Sequence, residues 1–158
     1  MILEDKILCK GDVQAIIEWE DGRRENIEFT NTILRNGRSI LALALANRIG
    51  DSFDYFISRM LFGDGGTSGG VPKTVSDGRT GLFGTTQVSK PVISIVDPTN
   101  STQVVFNSVI SFSEGNGVTL NEMALQMNNG DLYSMATFPG ISKTSQMQII
   151  WNWRLSFI

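Results

Sequence analysis

The chain predicts a mainly β protein: an antiparallel β-sandwich, jelly-roll-like, of about seven or eight strands, with one buried helix in its N-terminal half at about residues 37–49. Three observations predict this. Strict apolar alternation marks both ends of the sequence, at Val13–Trp19 and at Met147–Phe157. Turn-forming clusters recur between the apolar runs, at Asp21-Gly22, Asp97-Pro98-Thr99-Asn100, Ser113–Gly117 and Asn128–Asp131. Only one stretch, Ile40–Ala46, is rich in Leu and Ala without a β-branched residue after its start.

The elements follow in order. Val13, Ala15, Ile17 and Trp19 share one face of a first strand, with Gln14, Ile16 and Glu18 on the other. Asp21-Gly22 turns the chain, and Glu25–Phe29 alternates on the way back, so residues 12–30 read as a hairpin. Asn36 is placed to cap the helix and Gly50 to stop it. This helix is apolar on nearly all sides and should be buried against a sheet or a partner. Tyr55–Phe62 carries apolar residues on both faces, as a central strand does. Residues 63–84 hold eight glycines without sustained periodicity and read as a long, flexible loop. Val88–Val96 is a strand whose Pro91 argues for an edge or a bulge. Val104, Phe106, Ser108, Ile110 and Phe112 face one way on the next strand. Leu120–Met127 and Leu132–Phe138 follow, and Pro139-Gly140 is expected to break the second of these. Met147, Ile149, Trp151, Trp153, Leu155 and Phe157 close the sequence on the clearest alternation in it. A single domain over 1–158 is expected, because 158 residues suit one core better than two.

Composition removes several functions. There is no histidine, hence no Ser-His-Asp triad, no Cys-His pair and no His-ligated zinc. Cys9 has no second cysteine to pair with and no His to activate it, which leaves it a weak nucleophile candidate. The formal net charge of −3 argues against gripping nucleic acid. No apolar run approaches the ~18 residues of a membrane helix, and no secretory leader pattern is visible. Charge is uneven: 19 of the 29 charged residues fall in 1–64. The charge-poor later part, with the remaining 10, reads either as a well-hydrated β surface or as a face covered by neighbouring subunits.

Four constellations bear on chemistry. Gly63–Gly70 is a loop that fits neither nucleotide fingerprint. Glu18 with Glu20, and Glu114 with Glu122, are the carboxylate pairs; the first reads as a solvated rim, and the second is separated by a turn that would let the two approach. Asp51, Asp54 and Asp64 lack the spacing of a calcium loop. Trp151 and Trp153, with Trp19 elsewhere, sit within the closing alternation, which favours core or subunit interface over a ligand platform. No catalytic residue, metal ligand or cofactor is expected.

The run Leu120–Leu125, then Asn129-Gly130-Asp131-Leu132-Tyr133, then Ala136–Thr144, then Ile149–Phe157 resembles a pattern of tailed-bacteriophage structural proteins. Asn31–Arg38 ahead of the Ala/Leu helix, and Phe62-Gly63-Asp64-Gly65 after it, are similar in order to phage tail-collar, neck and tail-fibre-like proteins. The resemblance implies a non-enzymatic virion component in the neck or collar, the tail or baseplate, or on the capsid surface. It would act by packing against copies of itself, as a trimer or higher ring, and against other virion proteins. Three interface candidates follow. They are the helix with Ile40, Leu41, Leu43 and Leu45; the glycine loop with Gly63, Asp64, Gly65, Gly66 and Phe83; and the last strand with Trp151, Trp153, Phe157 and Ile158. The alternative is a receptor-binding module for a bacterial surface glycan, using exposed aromatics such as Tyr133 or Phe83.

Overall fold

The computed structural model describes residues 8–45, 55–97 and 99–158. Along the chain run β1 (Cys9–Trp19), β2 (Arg24–Thr30), β3 (Thr32–Ile33), α1 (Arg35–Leu45), β4 (Ile57–Gly63), β5 (Thr67–Ser68) and β6 (Val71–Pro72). Then come β7 (Thr86–Pro91), β8 (Ile93–Asp97), β9 (Asn100–Ile110), β10 (Thr119–Met127), β11 (Leu132–Ser142) and β12 (Met147–Phe157). The protein is mainly β, and its sheets are antiparallel and stacked like a sandwich. One sheet has the order β2-β1-β12-β9-β8 and the other β3-β11-β10-β4-β7, while β5 and β6 form a small hairpin.

The β1–β2 hairpin forms where alternation and Asp21-Gly22 place it, with Val13 opposite Phe29 and Glu18 opposite Arg24. Gly22 supplies the positive φ that the turn needs. β1 also pairs with β12 along its whole length, from Cys9 opposite Phe157 to Trp19 opposite Met147. The first and last strands therefore lie side by side inside one sheet.

Two strand expectations are corrected. Val88–Val96 is not one strand: β7 lies at the edge of the second sheet and β8 at the edge of the first, and the chain crosses between them at Val92, after Pro91. β2 and β3 make the same crossing on the opposite flank at Asn31. Pro139-Gly140 does not end its strand either. β11 continues to Ser142, and the pairing steps from Leu120–Ile141 to Glu122–Thr137, so the Pro-Gly step occupies a bulge. A bulge leaves residues unpaired, which suits a proline that has no N–H.

The main core lies between the two large sheets. Trp151 and Trp153 of β12 sit at its centre with no exposure, beside Val13, Ala15, Ile17, Phe106 and Ile110 of their own sheet. Met60, Phe62, Met123, Leu125 and Phe138 face them from the second sheet. The Trp151 ring is 4.9 Å from Phe62 and 5.4 Å from Phe138, and Phe138 stacks on Phe29 at 4.9 Å. A second cluster, Leu34, Ala124, Leu132 and Met135, lies on the other face of the second sheet under Val75, Leu82 and Phe83. That sheet is covered on both faces, which is why β4 and β10 carry apolar residues on both.

The helix starts at Arg35, ahead of the expected boundary. Its Arg35 N–H donates to the Asp77 carbonyl at 2.7 Å, and the Arg38 guanidinium donates to the Asp77 carboxylate. Asn36 lies inside the first turn and does not cap it; its carbonyl accepts the Ser39 hydroxyl at 2.8 Å. Nor is the helix buried all round: Ile40 packs on the core, but Leu41 and Leu43 are exposed. The expected C-terminal end and Gly50 stop lie outside the described residues. Among those described, no helix is long and apolar enough to cross a membrane.

Candidate functional site

The glycine-rich segment is fixed in place, contrary to the flexible loop expected. β10 turns Glu122 toward the outer face of the second sheet, where it is fully buried. Its Oε1 accepts the Gly65 N–H at 2.9 Å and the Gly84 N–H at 2.8 Å, and its Oε2 accepts the Phe83 N–H at 2.7 Å. One carboxylate thus gathers both ends of the segment. Beside it, Asn121 Oδ1 accepts the Gly66 N–H at 2.7 Å and its Nδ2 donates to Thr67 Oγ1 at 3.0 Å. Asp64 Oδ1 accepts the Thr85 N–H at 3.1 Å and its Oδ2 accepts Gln87 Nε2 at 2.9 Å.

These contacts explain the glycines. A Cβ on Gly65 would lie 2.2 Å from the Gly84 nitrogen, and one on Gly66 would lie 2.2 Å from the Asn121 carbonyl oxygen. Glycine is needed here for close approach of backbone to backbone, and freedom of motion is not its purpose. The rest of the segment lies against the sheet. The Arg79 guanidinium stacks 3.7 Å from the Phe83 ring centroid while its Nε donates to the Gly81 carbonyl and its Nη2 to the Leu82 carbonyl. Thr137 Oγ1 donates to the Lys73 carbonyl at 2.6 Å. Asp77 holds the helix start through Arg38 and Arg35; the Arg38 hydrogen bond, then the two guanidinium charges, keep its carboxyl below the usual carboxylate range.

A second polar anchor holds the 112–117 turn. Lys143 is buried, and its Nζ donates to Asn116 Oδ1 and the Thr144 carbonyl, both at 2.8 Å. Burial pushes its ammonium down from the usual lysine range. Glu114 accepts from Lys90 Nζ at 2.6 Å and from the Ser111 N–H at 2.9 Å. The Lys90 hydrogen bond, followed by the Ser111 one, lowers its pKa. Glu114 and Glu122 therefore serve different anchors and do not form a carboxylate pair.

Trp151 and Trp153 are core residues, so neither indole reaches a partner, and no hydrogen-bond acceptor meets either Nε1. Tyr133 is buried too, at 6% exposure, and is no surface platform. Phe83 is partly buried beneath Arg79 and Lys73. Gly63 and Gly66 are buried, while Asp64 is exposed and engaged. Leu41, Leu43 and Ile158 are exposed, Phe157 packs partly on the core, and the Leu45 side chain, like Asp51 and Asp54, lies outside the described residues. The Ile158 backbone exchanges two hydrogen bonds with Leu8, leaving both side chains in solvent. Cys9 is half-buried with its Sγ 3.9 Å from the Tyr133 hydroxyl, and burial pushes its thiol up, away from thiolate chemistry. Among the described residues, no three His, Cys, Asp or Glu side chains converge to hold a metal.

One open groove is apolar. Leu41, Tyr55, Phe56, Ile57, Val104 and Phe157 line a groove at one end of the sandwich, and no lining residue is charged. Sequence reading missed both this groove and the Glu122 anchor. The one available signal was an acid standing inside the apolar run of Leu120–Met127.

A family model described as phage tail-collar fibre protein, N-terminal, matches residues 27–154. The chain belongs to this tail-collar fibre family. The match takes in every strand from β3 to β11, most of β2 and most of β12. β1 lies ahead of it, although β1 supplies Val13, Ala15 and Ile17 to the core. No curated protein and no solved structure matches the chain. Membership of the tail-collar fibre family makes this chain a structural component of a tailed-phage tail and places it in the virion.

Proposed function

We propose that this domain is a non-enzymatic packing module of the phage tail, seated at the neck or collar, the tail or the baseplate, and joined to copies of itself and to other virion proteins. The family match over residues 27–154 carries this reading. The architecture supports it. Two stacked sheets, stitched at both flanks and locked by Glu122 and Lys143, give a rigid body, and the uncharged groove offers a surface for packing.

Immunogold labelling of intact particles with an antibody to this domain tests the reading. Label at the collar or along the tail is expected. Label confined to the capsid, or none on purified particles, overturns it. Binding of the isolated domain to host cells would instead favour a receptor-binding role.

A further inference from the structure

The sequence holds three Asn-Gly steps, Asn36-Gly37, Asn116-Gly117 and Asn129-Gly130. Such a step can react with itself, because the glycine nitrogen, shielded by no side chain, can attack the asparagine Cγ. The reaction needs a carboxamide free to turn toward that nitrogen and a backbone free to bring the nitrogen up. The fold treats the three steps differently.

Asn36-Gly37 lies in the first turn of α1, and Gly37 is buried. A Cβ on Gly37 would stand 2.3 Å from the Tyr133 carbonyl oxygen, so β11 presses directly on this backbone. The helix must leave the sheet before the nitrogen can move. At Asn116-Gly117 both reacting groups are tied to Lys143. Asn116 Oδ1 accepts from the buried Lys143 Nζ at 2.8 Å, and the Gly117 N–H donates to the Lys143 carbonyl at 3.0 Å. Asn116 Nδ2 donates to the Phe112 carbonyl at 2.9 Å. A charged donor makes the Lys143 bond a strong one.

Asn129-Gly130 is held only from within its own turn. Asn128–Asp131 joins β10 to β11 and is exposed at every residue. Asn129 Oδ1 accepts the Asp131 N–H at 2.9 Å, its Nδ2 donates to Asp131 Oδ2 at 3.3 Å, and the Gly130 N–H donates to the Met127 carbonyl at 2.9 Å. All three bonds are local and sit at an exposed tip, where water replaces them readily. Gly130 has a φ of +95° and open space where a side chain would stand.

We propose that Asn129 is the site at which this protein modifies itself by deamidation, ahead of Asn36 and Asn116. The Gly130 nitrogen bonds to Asn129 Cγ, the Cγ–Nδ2 bond breaks, and Nδ2 leaves as ammonia with the proton of the Gly130 amide. One water then opens the cyclic imide. Opening at Cγ gives aspartate; opening at the Asn129 carbonyl carbon gives isoaspartate, with the main chain rerouted through Cγ. Either product has a carboxylate where Asn129 now offers Nδ2 to Asp131. The turn between β10 and β11 loses that bond and gains a like-charge repulsion.

Ageing the folded protein in mildly alkaline buffer, followed by peptide mapping with mass spectrometry, tests this. The peptide holding Asn129 should gain about 1 Da, with isoaspartate among the products. Asn116 and Asn36 should lag by on the order of tenfold, because freeing either one first opens the fold. Aged in guanidinium chloride, all three should convert at similar rates. Ion exchange should show an acidic form of the folded protein that grows with time and is absent from Asn129→Gln, whose longer side chain closes the ring poorly. Asn36 or Asn116 converting as fast as Asn129 in the folded protein overturns the proposal. So does an Asn129 that stays intact, or an acidic form that Asn129→Gln accumulates as fast as the unaltered protein.

Discussion

Replacing Glu122 tests whether the glycine-rich segment is held as described. Glu122→Ala removes the acceptor for three backbone N–H groups, those of Gly65, Phe83 and Gly84, at a fully buried position. Hydrogen bonds to a charged group contribute ~1.5–3 kcal/mol each, and they do not add fully because water re-satisfies part of the freed backbone. The expected loss is ~3–5 kcal/mol, a large share of the ~5–15 kcal/mol that holds a domain folded. For a domain of this size that lowers Tm by on the order of 10 °C. Glu122→Gln keeps an oxygen for Gly65 and Gly84 but turns an NH2 group on the Phe83 N–H, donor against donor, so its loss should be smaller, ~1–3 kcal/mol. Urea denaturation gives the order unaltered, Gln, Ala. Amide hydrogen exchange at Gly65, Phe83 and Gly84 then shows where the structure opens. An Ala variant within about 1 kcal/mol of the unaltered protein, with these three amides exchanging no faster, would refute the anchor.

Three further outcomes are expected. Trp151→Ala empties the centre of the core and should cost ~3–5 kcal/mol by urea denaturation; a loss under about 1 kcal/mol would mean the sheets do not close on it. Glu114 has its pKa lowered by Lys90 and Ser111, so the folded state keeps it ionised where the unfolded chain has already protonated it. Unfolding there takes up a proton, and this contribution is full above the usual value of 4.5 and lost as pH falls below it. The stability gap between the unaltered protein and Glu114→Gln should therefore shrink with acidification, and a gap independent of pH would remove the Lys90–Glu114 argument. Truncation before Met147 strips β1 and β9 of their shared neighbour and should abolish cooperative unfolding, as followed by circular dichroism.

Much of this was legible in the sequence because short-range chemistry determined it. Asp21-Gly22 and the alternation around it specify the β1–β2 hairpin, and Met147–Phe157 shows its buried face residue by residue. What alternation cannot tell is which sheet a strand joins. Val88–Val96 reads as one strand because each half alternates, and the crossing at Val92 leaves no mark beyond Pro91. Pro139-Gly140 reads as a stop because proline lacks a donor, yet a bulge accommodates that lack without ending β11. The glycines of 63–84 read as looseness because a missing side chain has two uses, freedom and close approach, and only the position of Glu122 and Asn121 beneath them separates the two. The tryptophans were placed correctly in a packed seam, but the sequence did not say whether that seam lies inside the molecule or between molecules.

The adjacency of β1 and β12 also orders events in time. The second sheet uses strands that end at Ser142, so all of its members are available before β12 has been synthesised. The first sheet cannot close until the last strand slides between β1 and β9, and Cys9 must wait for Phe157 across nearly the whole chain. Bringing such distant segments together is entropically slow, so closure of this sheet is expected to limit the folding rate. During that interval Val13, Ala15 and Ile17 lack their β12 neighbours Trp153, Trp151 and Ile149. A nascent chain of this fold thus spends its vulnerable period with one sheet formed and the other open down its middle.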